Sequence, residues 1–315
     1  MKGREGTGRS LPCRIRRHSQ PGLRGLVRLS LPIKAAGAER NDESGWQRKR
    51  MCLIAIAWRT HPRYRLALIA NRDEAHARPA SPAGFDPDDA SVYGGRDLLA
   101  GGSWLMASVH GRLAAVTNVR DGAAEGTRPQ SRGALVRGFV SGREDGAGFL
   151  ASLAPNAAEY GRFNMLAWDG ERLGFAGNHP SFRSHEVAPG MHAMSNGAFD
   201  APWPKSGHAC AALEAWLKTD VATQGATDDG ALAPLFDALA DTTPAPDDKL
   251  PDTGVGLELE RLLSPPFVRG TNYGTRCSSV VLVEDQRITF VEQSYGPDGV
   301  RLGRTRATFA IDQRD

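Results

Sequence analysis

Met51-Cys-Leu-Ile-Ala-Ile-Ala-Trp58, then Thr60-His-Pro62, then Arg65-Leu-Ala-Leu-Ile-Ala70 is the stretch on which the reading of the fold turns. Two short apolar runs rich in strand formers, joined by a polar turn, predict a β-hairpin. The second run stops at Asn71-Arg-Asp-Glu74, and four consecutive polar residues predict a turn there. Residues 79–103 are dense in Pro, Gly, Asp and Ser and predict an irregular loop.

Further hairpins follow on the same signals. Trp104–Val109 and Leu113–Val119 flank His110-Gly111-Arg112, and Phe163–Trp168 and Arg172–Ala176 turn at Asp169-Gly170. His192–Ser195 ends another strand. Ser278–Glu284 pairs with Arg287–Glu292, and Arg306–Ile311 reads as an edge strand. Helices are predicted over Ser131–Val140, with Ser131 as N-cap, over Gly148–Leu153, over His208–Leu217 and near Leu232–Ala240, within a variable segment at 219–257. Hairpins alternating with helical patterns argue against a regular βαβ sheet. They predict an α+β protein of stacked antiparallel sheets covered by helices.

The apolar fraction of 40% in 315 residues permits a large core, and the charged fraction of 24% is that of a globular protein. The net charge of +3 hides a division. Residues 1–50 carry 13 Lys and Arg against four acids, whereas residues 51–315 carry 26 basic and 32 acidic residues. Gly25–Ile33 is interrupted by Arg28 and Pro32, so it makes a poor secretory signal, and the acids and prolines weaken a transit-peptide reading. Residues 1–50 are therefore expected to be a non-structural leader or a mis-assigned start, with one domain over 51–315. No apolar run approaches the roughly 20 residues of a membrane span. Cys13, Cys52, Cys210 and Cys277 form no CxxC pair and no disulfide framework, which suits a reducing cytoplasm. No cofactor is expected from these patterns. The basic leader carries no aromatic or groove-reading motif, and the remainder is acidic, so nucleic acid is not an expected partner.

Cys52 follows a methionine at the start of the folded region. A cysteine with a free α-amine can act as its own acid–base pair, since the amine has a pKa of about 7.7–8.0 and the thiol about 8.5. On the Met51-Cys52 dipeptide alone, Cys52 reads first as a small buried strand residue. Arg72 could lower the thiol pKa and Asp73 could hold an α-ammonium. Asn118 and Asn196 are strand-end residues whose amides could stabilise an oxyanion. Arg276, before a strong strand, could clamp a carboxylate or make a surface ion pair.

Taken in order, Met51-Cys-Leu-Ile54, Asn71-Arg-Asp-Glu74, Gly101-Gly-Ser-Trp104, Thr117-Asn-Val-Arg120, Phe163-Asn-Met-Leu166, Ser195-Asn196, Pro202-Trp-Pro-Lys205 and Tyr273-Gly-Thr-Arg276 resemble the NRDE family, which includes the transport-and-Golgi-organisation-two proteins. The resemblance spans about residues 51–311. It implies an N-terminal-nucleophile (Ntn) hydrolase-like fold, a four-layer αββα sandwich of two antiparallel sheets. It also implies kinship with choloylglycine-hydrolase-type enzymes and a site of Cys52, Arg72, Asp73, Asn118, Asn196 and Arg276. Two functions are expected to compete. One is an N-terminal-cysteine hydrolase acting on a linear amide of N-acyl type. The other is a non-catalytic carrier of haem or an acyl lipid on the same scaffold, with His61, His76, His110 and His192 as candidate haem ligands.

Overall fold

In the computed structural model the described residues are 51–122, 126 and 128–312. The expected leader lies outside them. Thirteen strands are described: β1 (Met51–Trp58), β2 (Leu66–Ala75), β3 (Ala80–Asp86), β4 (Asp89–Asp97), β5 (Leu105–Ser108), β6 (Arg112–Asn118), β7 (Phe163–Trp168), β8 (Leu173–Gly177), β9 (Arg183–Glu186), β10 (Gly190–Met194), β11 (Tyr273–Val283), β12 (Arg287–Tyr295) and β13 (Arg301–Ala310). The α-helices are α1 (Arg132–Ser141), α2 (Gly146–Ser152), α3 (Pro204–Leu217), α4 (Asp220–Gln224), α5 (Asp229–Leu239) and α6 (Leu257–Leu262). One sheet runs β10-β1-β2-β11-β12-β13 and the other β3-β4-β5-β6-β7-β8-β9, with antiparallel pairing throughout.

Side-chain alternation along β1 decides the layering. Ile54, Ile56 and Trp58 enter a core shared with Leu105, Leu113, Leu166 and Phe175 of the other sheet. Leu53, Ala55 and Ala57 point the opposite way, into a core made with Leu213, Trp216, Leu235 and Phe236 of α3 and α5. A third core packs Leu135, Val136 and Phe139 of α1 and Leu150 of α2 against Val116, Met165 and Ala176. The order is therefore helix, sheet, sheet, helix: the αββα sandwich expected above. Covering both faces of β1 explains its unbroken apolar run, because neither face needs polar residues.

The hairpins at β1–β2, β5–β6, β7–β8 and β11–β12 fall where the sequence predicts them, and β13 is the edge strand of its sheet. Ser131 caps α1, its side chain accepting from the Gly133 N–H. Two expectations fail. Asn71-Arg-Asp-Glu74 is not a turn but the continuation of β2. Its polar side chains find partners only tertiary structure can supply: Asn71 Nδ2 donates to the Leu239 and Pro266 carbonyls at 2.7 and 2.8 Å, and Ser278 Oγ donates to Asn71 Oδ1 at 2.6 Å. The loop expected at 79–103 is largely the hairpin β3–β4. Gly94 lies inside it because β5 passes so close that a Cβ would sit 2.5 Å from the Leu105 carbonyl oxygen. Strand β9, fully exposed and without an apolar signature, gives no sign of itself in the sequence.

Gly101 and Gly102 both adopt positive φ, +68° and +73°, where the chain turns from β4 towards β5. A Cβ on Gly101 would meet nothing within 4 Å, whereas one on Gly102 would lie 2.3 Å from the Gly133 carbonyl at the start of α1. Gly101→Ala should therefore cost only the left-handed conformation, about 1–2 kcal/mol. Gly102→Ala should cost distinctly more, because helix backbone must also move. Denaturant midpoints of the two variants check this; equal losses would contradict the packing described.

Candidate active site

The alternation that buries Ile54 between the sheets also turns Cys52 inward at the open end of β1. Cys52 faces Arg72 across the β1–β2 pair, and Arg72 faces Cys277 across β2–β11. The three side chains form one row on the inner face. They line a cavity of 860 Å³ together with Asp73, Asn118 and Arg276. Five of the six residues singled out from sequence thus border one space. The sixth, Asn196, stands behind Cys52.

Asn196 is fully buried just beyond β10. Its Oδ1 accepts the Cys52 backbone N–H at 3.3 Å, and its Nδ2 donates to Asn118 Oδ1 at 2.9 Å and to the Asn118 carbonyl at 3.0 Å. Ser195 Oγ donates to the Cys52 carbonyl at 2.8 Å, and Thr117 Oγ1 to the Ser195 carbonyl at 2.6 Å. These bonds tie the end of β6, in one sheet, to the start of β1, in the other. They also give the two asparagines different postures. Asn196 holds the nitrogen of Cys52, while Asn118 accepts from Asn196 through its Oδ1 and its carbonyl and borders the cavity.

Burial pushes the Cys52 thiol up to about 12, and the Asp73 carboxylate adds to the shift. The Arg72 guanidinium and the Asp73 backbone N–H oppose it. Asp73 is itself buried, which raises its pKa against the pull of Lys205, and Thr275 Oγ1 donates to its Oδ1 at 2.6 Å. Asp73 lies opposite Met51, one residue before Cys52, so it flanks the nitrogen side of the nucleophile. Arg72 pairs with Glu74 at 3.7 Å, and Arg78 pairs with Asp97 at 2.6 Å.

Arg276 owes its place to an irregularity. The β2–β11 register slips between Thr275 and Cys277, so Arg276 is an extra residue outside the pairing. A bulge re-aims a side chain beside a site. Arg276 Nη1 donates to the carbonyls of Ala75, His76 and Arg78 at 3.0, 3.3 and 3.0 Å, fixing the plane of the guanidinium. Its Nε is buried without a hydrogen-bond partner.

Three buried groups at this end escaped the sequence reading as site residues. Cys277 and Glu292 sit together on the cavity floor, burial raising both. Glu292 accepts the Ala83 N–H at 2.8 Å, a bond from one sheet to the other. Lys205 is buried in the first turn of α3, and nothing in Trp203-Pro-Lys205 distinguishes a buried lysine from a solvated one. Of the haem-ligand candidates, none of His61, His76, His110 and His192 lines the cavity, and His192 has both ring nitrogens engaged, by Asp200 and the Ala188 carbonyl at 2.8 Å each. Among the described residues no group of three or more His, Cys, Asp or Glu is arranged to hold a metal ion, and no helix is long and apolar enough to cross a membrane.

The family model for Transport and Golgi organisation 2 matches residues 51–297. The Transport and Golgi organization protein 2 homolog of Bos taurus is 31% identical over 282 residues, covering 83% of this chain and 99% of that protein. The Homo sapiens homolog is 31% identical over 261 residues, covering 78% and 93%. Among solved structures, a mutant conjugated bile acid hydrolase from Clostridium perfringens matches with a TM-score of 0.43 and 8% identity, over 84% of this chain and 93% of that one. That likeness is too remote to carry residue roles across. The family match begins at Met51, where β1 begins, and runs through the clamp and the bulge to the end of β12: this chain belongs to the Transport and Golgi organisation 2 family.

Proposed function

We propose that the protein is an N-terminal-cysteine hydrolase of linear amides of N-acyl type, with Cys52 as nucleophile once the residues before it are removed. The observation that carries the reading is the paired hold on Cys52: its nitrogen rests on Asn196 while its thiol opens into the 860 Å³ cavity beside Arg72. A strand residue with a purely structural role needs neither a side-chain acceptor for its nitrogen nor a cavity over its sulfur.

The chemistry follows from the groups present. As long as Cys52 remains inside an amide-linked chain, its nitrogen is no base, and a thiol pushed up to about 12 stays protonated at neutral pH. Freed, the α-amine would titrate near 7.7–8.0 and accept the thiol proton. The sulfur would attack the substrate carbonyl, and Asn118 Nδ2 would donate to the oxyanion. Collapse of the tetrahedral intermediate would break the C–N bond, with the α-ammonium returning the proton to the departing amine and a thioester left on Cys52. Water activated by the same amine would hydrolyse the thioester, releasing the acid and restoring the thiol. Asp73 would hold the ammonium form in place. Arg276, braced by three carbonyls, supports recognition of an anionic group on the substrate.

The intact mass of the purified protein should begin at Cys52. A mass retaining the residues before it would favour the carrier reading, to be followed by haemin titration. Cys52→Ala should abolish turnover of an N-acyl amide panel while leaving the thermal midpoint nearly unchanged; retained turnover would remove Cys52 from the chemistry. Asn118→Ala should lower kcat by about 10²–10³, the usual loss for one oxyanion donor, with little change in KM. Asn196→Ala should also lower the melting temperature, since it releases both the Cys52 nitrogen and Asn118.

A further inference from the structure

Strand β7 reads Phe163-Asn-Met-Leu-Ala-Trp168, and every residue in it is buried. Asn164, 2% exposed, is its one strongly polar side chain. A side-chain amide costs free energy in such surroundings unless its donors are met. By alternation Asn164 shares the inner face of the second sheet with Leu166 and Trp168, and across the β6–β7 pair it stands opposite Thr117. The two make a polar rung just past the apolar rung of Ala115 and Leu166. Both reach the segment that leaves β10. Asn164 Nδ2 donates to the Gly197 carbonyl at 2.7 Å and, more weakly, to the Ser195 carbonyl at 3.5 Å. Thr117 Oγ1 donates to that same Ser195 carbonyl at 2.6 Å. The carbonyl between them, that of Asn196, accepts the Arg120 N–H at 2.7 Å. Trp203 packs so closely on Gly197 that a Cβ there would sit 2.6 Å from the indole ring.

Residues 195–197 belong to no strand or helix, so no ladder occupies these three successive carbonyls. All three are taken instead by groups at the β6–β7 end of the second sheet. Holding Ser195 and Gly197, one on each side of Asn196, fixes the backbone from which the Asn196 side chain projects. That side chain is the acceptor of the Cys52 nitrogen. Asn164 does not line the cavity, so whatever it does for the site runs through Asn196. We propose that Asn164 is a positioning residue for the Cys52 nitrogen: from β7 it pins the Gly197 carbonyl and so keeps Asn196 Oδ1 aimed at that nitrogen. Under the hydrolase reading, on which the chemical use of this hold rests, the nitrogen so placed is the α-amine that shuttles the proton.

The test labels only the cysteines with ¹⁵N, in the full-length protein and in Asn164→Leu, a side chain of similar size without donors. The chain has four cysteines, so each nitrogen is followed separately. Where the purified chain keeps the residues before Cys52, the readout is amide hydrogen exchange. Exchange at Cys52 should quicken about tenfold, the order of one lost hydrogen bond, while Cys210 in α3 and Cys277 in β11 change by less than about twofold. Where the chain begins at Cys52, the readout is the pH midpoint of its α-amine, followed by the ¹⁵N shift. A misplaced Asn196 no longer accepts from the charged amine, so the midpoint should fall by about one unit. A residue that only supported packing would leave a different pattern. Exchange would quicken at Cys277 as much as at Cys52, and a better-hydrated amine would titrate higher. Either of those results, or no change at Cys52, overturns the role of Asn164. Asn164→Ser, polar but too short to reach Gly197, carries the same expectations should Asn164→Leu fold poorly. Absence of amide turnover in the wild-type protein would end the hydrolase reading, while the exchange rates would still decide whether Asn164 positions the Cys52 nitrogen.

Discussion

The β1–β2 strand pair is buried on both faces, and that single constraint organises the rest. Apolar side chains leaving β1 in two directions demand cover twice. The second sheet supplies it on one side and α3 with α5 on the other. The second sheet then presents its own far face, which α1 and α2 close. Four layers result from satisfying two faces at a time.

Where the two sheets end, the same constraint produces the site. Cys52 and Arg72 continue the inward pattern of Ile54 and Ala70 but run past the filled core, so their side chains border a cavity instead of apolar neighbours. Asn71 and Asp73 continue the outward pattern and are held by Leu239, Pro266, Ser278 and Thr275. Polar groups are buried here because each has a partner, and the partners in turn fix where each group points. The Asn196 clamp adds the link between sheets, making the position of the Cys52 nitrogen a property of the whole sandwich.

Electrostatics at this end balance closely. Glu74 meets Arg72 and Arg78, and Glu260 meets Arg120. Burial, with the Asp73 carboxylate adding to it, drives the thiol far from the range in which it could react. Neighbouring cations and a liberated amine are the levers available to bring it back, and both converge on the few atoms around Cys52 and Asp73.

From the sequence alone came the apolar runs, the hairpin turns, the Ser131 cap and the ordered short motifs. These are local signals or recurrent patterns, and they sufficed for an α+β sandwich and for five residues that border one cavity. Only the tertiary structure decided that Asn71–Glu74 is strand, because four adjacent polar residues read as a turn until distant carbonyls and hydroxyls are placed beside them. The same holds for β3 and β4: Gly94 of β4 records the close approach of β5, which is invisible in one dimension. The separate postures of Asn118 and Asn196, the bulge that presents Arg276 and the burial of Lys205 follow the same logic. Each depends on which groups meet across long sequence separations, and a hydrogen-bond partner 144 residues away leaves no local trace.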